Sequence, residues 1–326
     1  MSKISRIAVG ACLLSAGMAL GQPTSNYPVR PVRMVVPFAP GGASDLVGRM
    51  ISPKLGQELG QQVVVDNRGG ASGNIGVEMA AHATADGYTI LLGNIGTMAI
   101  NPALYPKFPV RPVRDFIAVT QVVDVPTALA VHPSVPVATM KEFIEYAKAR
   151  PGKLNYGSAG AGSNGRLEME FFMRTAGISV VHIPYKGGAG AAATALLGGE
   201  VHCAFVTLSS VLTQAKAGKL RVLGVAAPKR VVAAPEIPTM AEAGFPGMTS
   251  GSWQGVYVPA GTPQAIVDKL FAVVTRVMSD ADVVKRLNDG GVEVVLSKSP
   301  QDFARFMQAQ NERWMKVVKE VGVVGE

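Results

Sequence analysis

Short apolar runs rich in β-branched residues alternate along the chain with longer stretches whose apolar residues recur every three or four positions. The short runs predict strands over 33–37, 62–66, 88–92, 117–123, 128–132, 154–156, 180–184, 201–206, 220–226 and 255–258. Over 44–59, Leu46 and Met50 step by four, as do Val47, Ile51, Leu55 and Leu59, which predicts a helix that Pro53 should kink. Thr139-x-x-Glu142 has the form of a capping box, opening a helix that stops at Pro151-Gly152. A further helix over 166–176 ends at Gly177, and Thr262-Pro263 opens one over 263–279. Ile266, Leu270, Val273, Val274 and Val277 form its apolar face, and Ser299-Pro300 opens the last helix, to about residue 320.

Strands alternating with helices predict α/β layers with largely parallel sheets. The length remaining after the leader described next exceeds what one core usually holds, so two lobes are expected. The hexapeptide Pro-Val-Arg-Pro-Val-Arg occurs at 28–33 and again at 109–114. Its flanks differ, and it reads as two extended surface segments.

The N-terminus has a different character. Lys3 and Arg6 precede an apolar stretch over 7–20, and Ala19-Leu20-Gly21 offers small residues for cleavage before Gln22. Residues 1–21 therefore read as a secretory signal peptide, too short for a membrane span. Cys12 suggests lipoprotein processing, but the apolar run continues past it. No other stretch reaches the roughly 18 unbroken apolar residues of a spanning helix. Cleavage would leave Cys203 as the single cysteine, so no intrachain disulfide could form. Export with one cysteine fits a bacterial periplasm better than a disulfide-rich secreted domain.

The net charge is +8, or 8 − 2 = +6 without Lys3 and Arg6. The basic residues are scattered, without a stripe or interleaved aromatics, which argues against nucleic-acid binding.

The candidate chemistry lies in the loops after the strands. In "VVPFAPGGASD" (35–45), Pro37 stops the ladder, Gly41-Gly42 turn the chain, and Ser44 or Asp45 can cap the next helix. Backbone N–H groups converging at a helix start suit an anion. "NRGGASGNIG" (67–76), "GSAGAGSNG" (157–165) and "YKGGAGA" (185–191) repeat the design, two loops in each half of the chain. In open α/β sheets ligands sit beyond the carboxyl ends of strands, so a cleft lined by amides and hydroxyls from both lobes is expected.

Catalytic readings find less support. Gly160-x-Gly162-x-x-Gly165 and Gly188-x-Gly190-x-x-Ala193 match dinucleotide fingerprints, but among 37 glycines such matches carry little weight. The acidic residue that should follow the next strand is replaced by Tyr185 and Lys186. No G-x-S-x-G, phosphate-loop or H-E-x-x-H motif is present, and His82, His132, His182 and His202 lack metal-ligand spacing. Cys203 lies in an apolar strand and reads as an inert buried thiol. These features predict no cofactor, no metal and no enzymatic activity. Trp253, in "GSWQG", falls at the return between lobes and could serve as core packing, cleft wall or hinge anchor.

At these loops the chain resembles the periplasmic receptors of tripartite tricarboxylate transporters, the Bug or TctC type. The resemblance is carried by "YPVRPVRMVVPFAPGGASD", "LGQQVVVDNRGGASGNIG", "DGYTILLG", "NPALYP", "RPGKLNYGSAGAGS", "HIPYKG", "GGEVHCAF", "AGKLRVLGVAA", "IPTMAEAGFPG", "SWQGVYVPAGTP" and the terminal "RW", in that order through nearly the whole chain. It implies a two-lobed, type II-like periplasmic-binding-protein fold, a Venus flytrap joined by two crossing strands. Lobe 1 would comprise 27–126 with 251–326, and lobe 2 would comprise 127–250. The implied ligand is a small carboxylate held by amides, hydroxyls and waters. Carried over by position, Phe38, Ala39, Gly41, Gly42 and Asp45 would form the first loop, with Ser72, Gly73 and Asn94 beside it. Ser158, Ala159, Gly160, Ser163, Lys186 and Gly187 would close from lobe 2, with Trp253 near the hinge.

Two departures stand out. The family usually places His-Leu after "AGAGS", where this chain has Asn164-Gly165-Arg166-Leu167, so Arg166 becomes a candidate partner for a second ligand carboxylate. Many members carry an Asp after the strand over 201–206, where this chain reads Thr207-Leu208-Ser209-Ser210, which disfavours an amino-acid ligand. The implied role is a monomeric solute receptor that hands its ligand to membrane permease subunits. The rival roles are a sensor read by a membrane kinase and a dinucleotide-dependent enzyme.

Overall fold

The computed structural model describes residues 26–105, 107–108, 110–160, 163–185, 188–248 and 251–321. The leader over 1–21 and the pair Lys186-Gly187 lie outside them.

The first third is a β-α-β succession: β1 (Val32–Val36), α1 (Ala43–Leu59), β2 (Val63–Asn67), α2 (Asn74–Ala81) and β3 (Thr89–Asn94). β2 and β3 flank β1, both parallel to it. β1 and β3 are buried on two faces, and alternation sorts their side chains. Met34, Val36, Ile90 and Leu92 pack on one side of the sheet with α1, while Val35 and Leu91 pack on the other. α1 runs on through Pro53, which does not end the helix.

After two single-turn helices, α3 (Asn101–Leu104) and α4 (Pro112–Asp115), comes β4 (Phe116–Val131). The sequence reads there as two strands, 117–123 and 128–132, yet the chain forms one. Asp124-Val125-Pro126 marks a change of partner. Up to Pro126, β4 is antiparallel to β9 (Gly251–Pro259); from Thr127 onward it is antiparallel to β7 (Cys203–Thr207). Pro126, which has no N–H to donate, sits where one ladder hands over to the next.

The second half adds α5 (Met140–Lys148), β5 (Asn155–Ser158), α6 (Asn164–Ala176), β6 (Val181–Pro184), α7 (Ala189–Leu197), then β7, α8 (Leu208–Lys216) and β8 (Arg221–Val225). The capping box forms: Thr139 accepts from the Glu142 N–H and Glu142 accepts in return. α6 ends on Gly177 in the left-handed conformation. α9 (Gln264–Met278), α10 (Ala281–Asp289), the two-residue β10 (Glu293–Val294) and α11 (Pro300–Val321) complete the chain. β10 has no counterpart in the apolar pattern. α9 buries Ile266, Val267, Leu270, Val273, Val274, Val277 and Met278. At about 1.5–3 kcal/mol for each fully buried large apolar side chain, this face alone contributes on the order of 10 kcal/mol before chain entropy.

The strand order is β2-β1-β3-β9-β4-β7-β5-β6, with β8 and β10 paired to β4. Parallel pairs join β1 to β2 and β3, and β5 to β6 and β7. Every antiparallel pair includes β4 or β9. The sheet is therefore mixed, and its antiparallel part is built around the two long strands that carry the chain across. Among the described residues no helix is long and apolar enough to cross a membrane.

Candidate functional site

The turn after β1 is held from below. Gly41 adopts φ +94°, and its N–H donates to Asp45 Oδ2 at 3.0 Å. Arg49 Nε donates to Asp45 Oδ1 at 2.8 Å, and Asn67 Nδ2 donates to the Phe38 carbonyl at 3.0 Å. Burial raises the Asp45 carboxyl, but the bonds from Arg49, Gly41 and Asn67 and the Arg49 charge outweigh it, leaving the group below its ordinary range. Asp45 thus anchors the loop from inside helix α1. Gly42 is the N-cap of α1 and brings no side-chain cap, so the first amides of the helix keep their donors.

Three further helices begin nearby. Ser163 caps α6, accepting from the Arg166 N–H at 3.3 Å and donating to the Gly160 carbonyl at 2.8 Å. Gly188 starts α7 without a side-chain cap, and Thr207 precedes α8, with its Oγ1 2.8 Å from Ser210 Oγ. Gly42, Ser163 and Thr207, together with Ala189 and Gly190 of α7, line one cavity. Four helix N-termini therefore meet at a single space. Its volume is about 80 Å³. Among the described residues its wall carries hydroxyl, amide, backbone and apolar groups and no charged side chain.

The two halves touch across this space through glycines. A β-carbon on Gly190 would lie 3.1 Å from the Pro40 carbonyl oxygen and 3.3 Å from the Gly42 nitrogen. One on Gly160 would lie 2.8 Å from Ser72 Oγ. Ser72 itself has φ +56° and sits 3.0 Å from Tyr105 Oη.

Of the residues singled out from sequence, Phe38, Ala39, Gly42, Ser72, Asn94, Ala159 and Ser163 line the cavity. Gly41, Asp45, Gly73, Ser158 and Gly160 stand behind them. Gly73 packs against Thr97 and the Pro37 carbonyl, and Ser158 Oγ contacts His182 Nε2 at 2.7 Å while accepting from the Gly160 N–H. Asn94 Oδ1 accepts from the Thr97 N–H, which fixes its orientation.

Two candidates lie elsewhere. Arg166 has its Nε 3.9 Å from Glu170 Oε1, the same oxygen that accepts from Tyr156 Oη at 2.7 Å. Burial, then the Glu170 carboxylate, pushes the Tyr156 hydroxyl up. Arg166 is not on the cavity wall, so its guanidinium belongs to this cluster. Trp253 is buried edge-on against Phe303 and Phe306, at 6.3 and 5.4 Å between ring centres. Along β9, side chains alternate, so the face opposite Trp253 carries Ser252 and Gln254, and these two line the cavity.

Gln254, Ser252, Thr127, Asn164, Thr207 and Gly190 are wall residues not singled out from sequence, and strand alternation around "GSWQG" was the available signal for the first two. Gly165, in the apparent dinucleotide fingerprint, has a packing reason instead. A β-carbon there would lie 2.1 Å from the Phe205 carbonyl oxygen, so glycine lets α6 seat on β7. Cys203 is buried and its thiol is pushed up by desolvation. No group of three potential metal ligands occurs among the described residues.

A family model described as the tripartite tricarboxylate transporter family receptor matches residues 47–323. BugT from Bordetella pertussis is 35% identical over 315 residues, covering 96% of both chains. Among solved structures, Rpa4515 from R. palustris with adipate is 37% identical at a TM-score of 0.87, covering 91% of this chain and 99% of that one. MatC from Rhodopseudomonas palustris with bound malate is 34% identical at a TM-score of 0.83, covering 90% and 100%. A family match over most of the chain, and alignments that run almost end to end, establish that the chain belongs to the tripartite tricarboxylate transporter receptor family.

Proposed function

We propose that this chain is a periplasmic solute receptor that closes on a small carboxylate and delivers it to the permease subunits of a tripartite transporter. The observation that carries the reading is the meeting of four helix N-termini at a cavity with no charged side chain on its described wall. Each terminus favours an anion by about 0.3–1 kcal/mol, and amides bonded to a carboxylate add roughly 1.5–3 kcal/mol apiece. Two or three such bonds suffice for micromolar affinity, about −8 kcal/mol. The adipate and malate bound by two related structures belong to the same ligand class.

In this reading lobe 1 (27–126 with 251–326) and lobe 2 (127–250) rotate about the crossing strands, and the ligand favours the closed form by touching both. The protein acts as a monomer, and residues 1–21 direct its export. Asp45 holds the lobe-1 loop in shape, while Phe38, Ala39, Ser72 and Asn94 meet the ligand from one side and Ala159 and Ser163 from the other.

The test is thermal unfolding of the chain from Gln22, refolded from denaturant to strip any carried ligand, against mono-, di- and tricarboxylates and NAD(P). A carboxylate at 100 times its dissociation constant should add about 2.7 kcal/mol, a shift of about 4 °C for a chain of this size. A shift with dinucleotide alone would overturn the receptor reading.

A further inference from the structure

The side chain of Gln254 is fully buried on the cavity wall. Among the described residues neither its Nε2 nor its Oε1 has a hydrogen-bond partner. A buried amide left unbonded on both atoms is costly, and here both atoms belong to a wall residue of the ligand cavity. The amide offers one kind of donor and one acceptor side by side. A carboxylate can satisfy only the Nε2 side, because an ionised carboxylate has no proton to give to Oε1.

Nearby on the wall, Thr127 donates its hydroxyl proton to Glu168 Oε1 at 2.6 Å, and Asn164 Nδ2 donates to the same oxygen at 3.1 Å, so the buried Glu168 holds both side chains in place. The demand for a donor therefore comes from Gln254 Oε1, which seeks a ligand able to give a hydrogen bond.

We infer that Gln254 is a specificity-determining residue that reads a hydroxyl beside a carboxylate, so the preferred ligand is a hydroxycarboxylate over its deoxy counterpart. The inference rests on the carboxylate-receptor reading and deepens it. Nε2 bonds the ligand carboxylate while the ligand hydroxyl donates to Oε1, and the helix N-termini hold the remaining anionic charge. A deoxy acid leaves Oε1 unbonded inside a closed cavity, a loss that a wet site would not feel. Trp253, one residue earlier, fastens the strand from behind through Phe303 and Phe306 and so fixes which way Gln254 points.

Isothermal titration of the refolded chain with malate and with succinate, which differ by one hydroxyl, tests this. The wild-type chain should bind malate at least about tenfold more tightly. Gln254→Met, of similar length and without polar atoms, loses the Nε2 bond to the carboxylate of either acid and the Oε1 bond to malate alone, so both acids should weaken, malate by more, and the ratio should fall to near one. Gln254→Glu keeps the shape and the acceptor but loses the donor, and should weaken both acids while retaining the preference for malate. Equal binding of the two acids by the wild-type chain, or a preference unchanged in Gln254→Met, would overturn the inference and leave the receptor reading standing. So would binding of other carboxylates with neither of these two. Failure of every carboxylate in the wider panel would instead overturn the receptor reading beneath it.

Discussion

The carboxyl of Asp124 fills the space that a side chain on Gly251 would need: a β-carbon there would lie 1.8 Å from Asp124 Oδ1. The two residues face each other across β4 and β9, where Pro126 pairs with Gly251 and Asp124 with Trp253. This is the stretch in which β4 changes partner.

Gly251→Ala should therefore force Asp124 out of its place or pull the strands apart. Either displacement strains a packed crossing, and a loss of at least about 2 kcal/mol is expected in urea unfolding. A change below about 0.5 kcal/mol would show that the crossing strands yield freely there.

Asp124 makes stability depend on pH in an unusual direction. Burial, followed by the nearby charge of Glu293, pushes its carboxyl up to about 6, although the Val125 N–H partly opposes this. Glu293 is itself paired with Lys229 at 3.3 Å. The folded chain then holds a proton that the unfolded chain has released, so this group's contribution weakens as pH rises from about 4 to about 6. Asp124→Asn should gain on the order of 2 kcal/mol at pH 7 and little near pH 4, read from urea midpoints across that range. A gain that does not vary with pH would assign the effect to packing instead.

Gly190 tests closure separately from folding. It lies within α7 on the seam, and a larger side chain there meets the Pro40 carbonyl and the Gly42 backbone. Gly190→Val should leave the ligand-free unfolding midpoint within a few degrees of wild type. Carboxylate affinity should fall at least about tenfold, because the closed form no longer forms without a clash. Unchanged affinity by calorimetry would mean that the seam does not need to close for binding.

Much of this protein was legible in the linear sequence because local rules act over a few residues. Apolar alternation, the Thr139–Glu142 capping box, Gly177 as helix terminator and the glycine-rich turns after strands each depend on neighbours in the chain. So does the convergence of donors at the 37–45 turn, where Gly41 and Asp45 are four residues apart and bonded. The family pattern added the expected bounds of the lobes and the expected ligand class.

What tertiary structure decided is who stands opposite whom. Asp124-Val125-Pro126 looks like the end of a strand, and only the presence of β9 on one side and β7 beyond makes it a handover within a continuous one. Arg166 looks like a free cation at a helix start until Glu170 and Tyr156 are folded against it. Gly165 resembles a dinucleotide-fingerprint glycine until the Phe205 carbonyl is seen to occupy its missing side chain's place. Trp253 and Gln254 are adjacent in sequence, and a strand sends neighbours to opposite faces, so the choice between core and cavity depends on where α11 packs. Its Phe303 and Phe306 take the tryptophan, and the glutamine is left on the cavity wall.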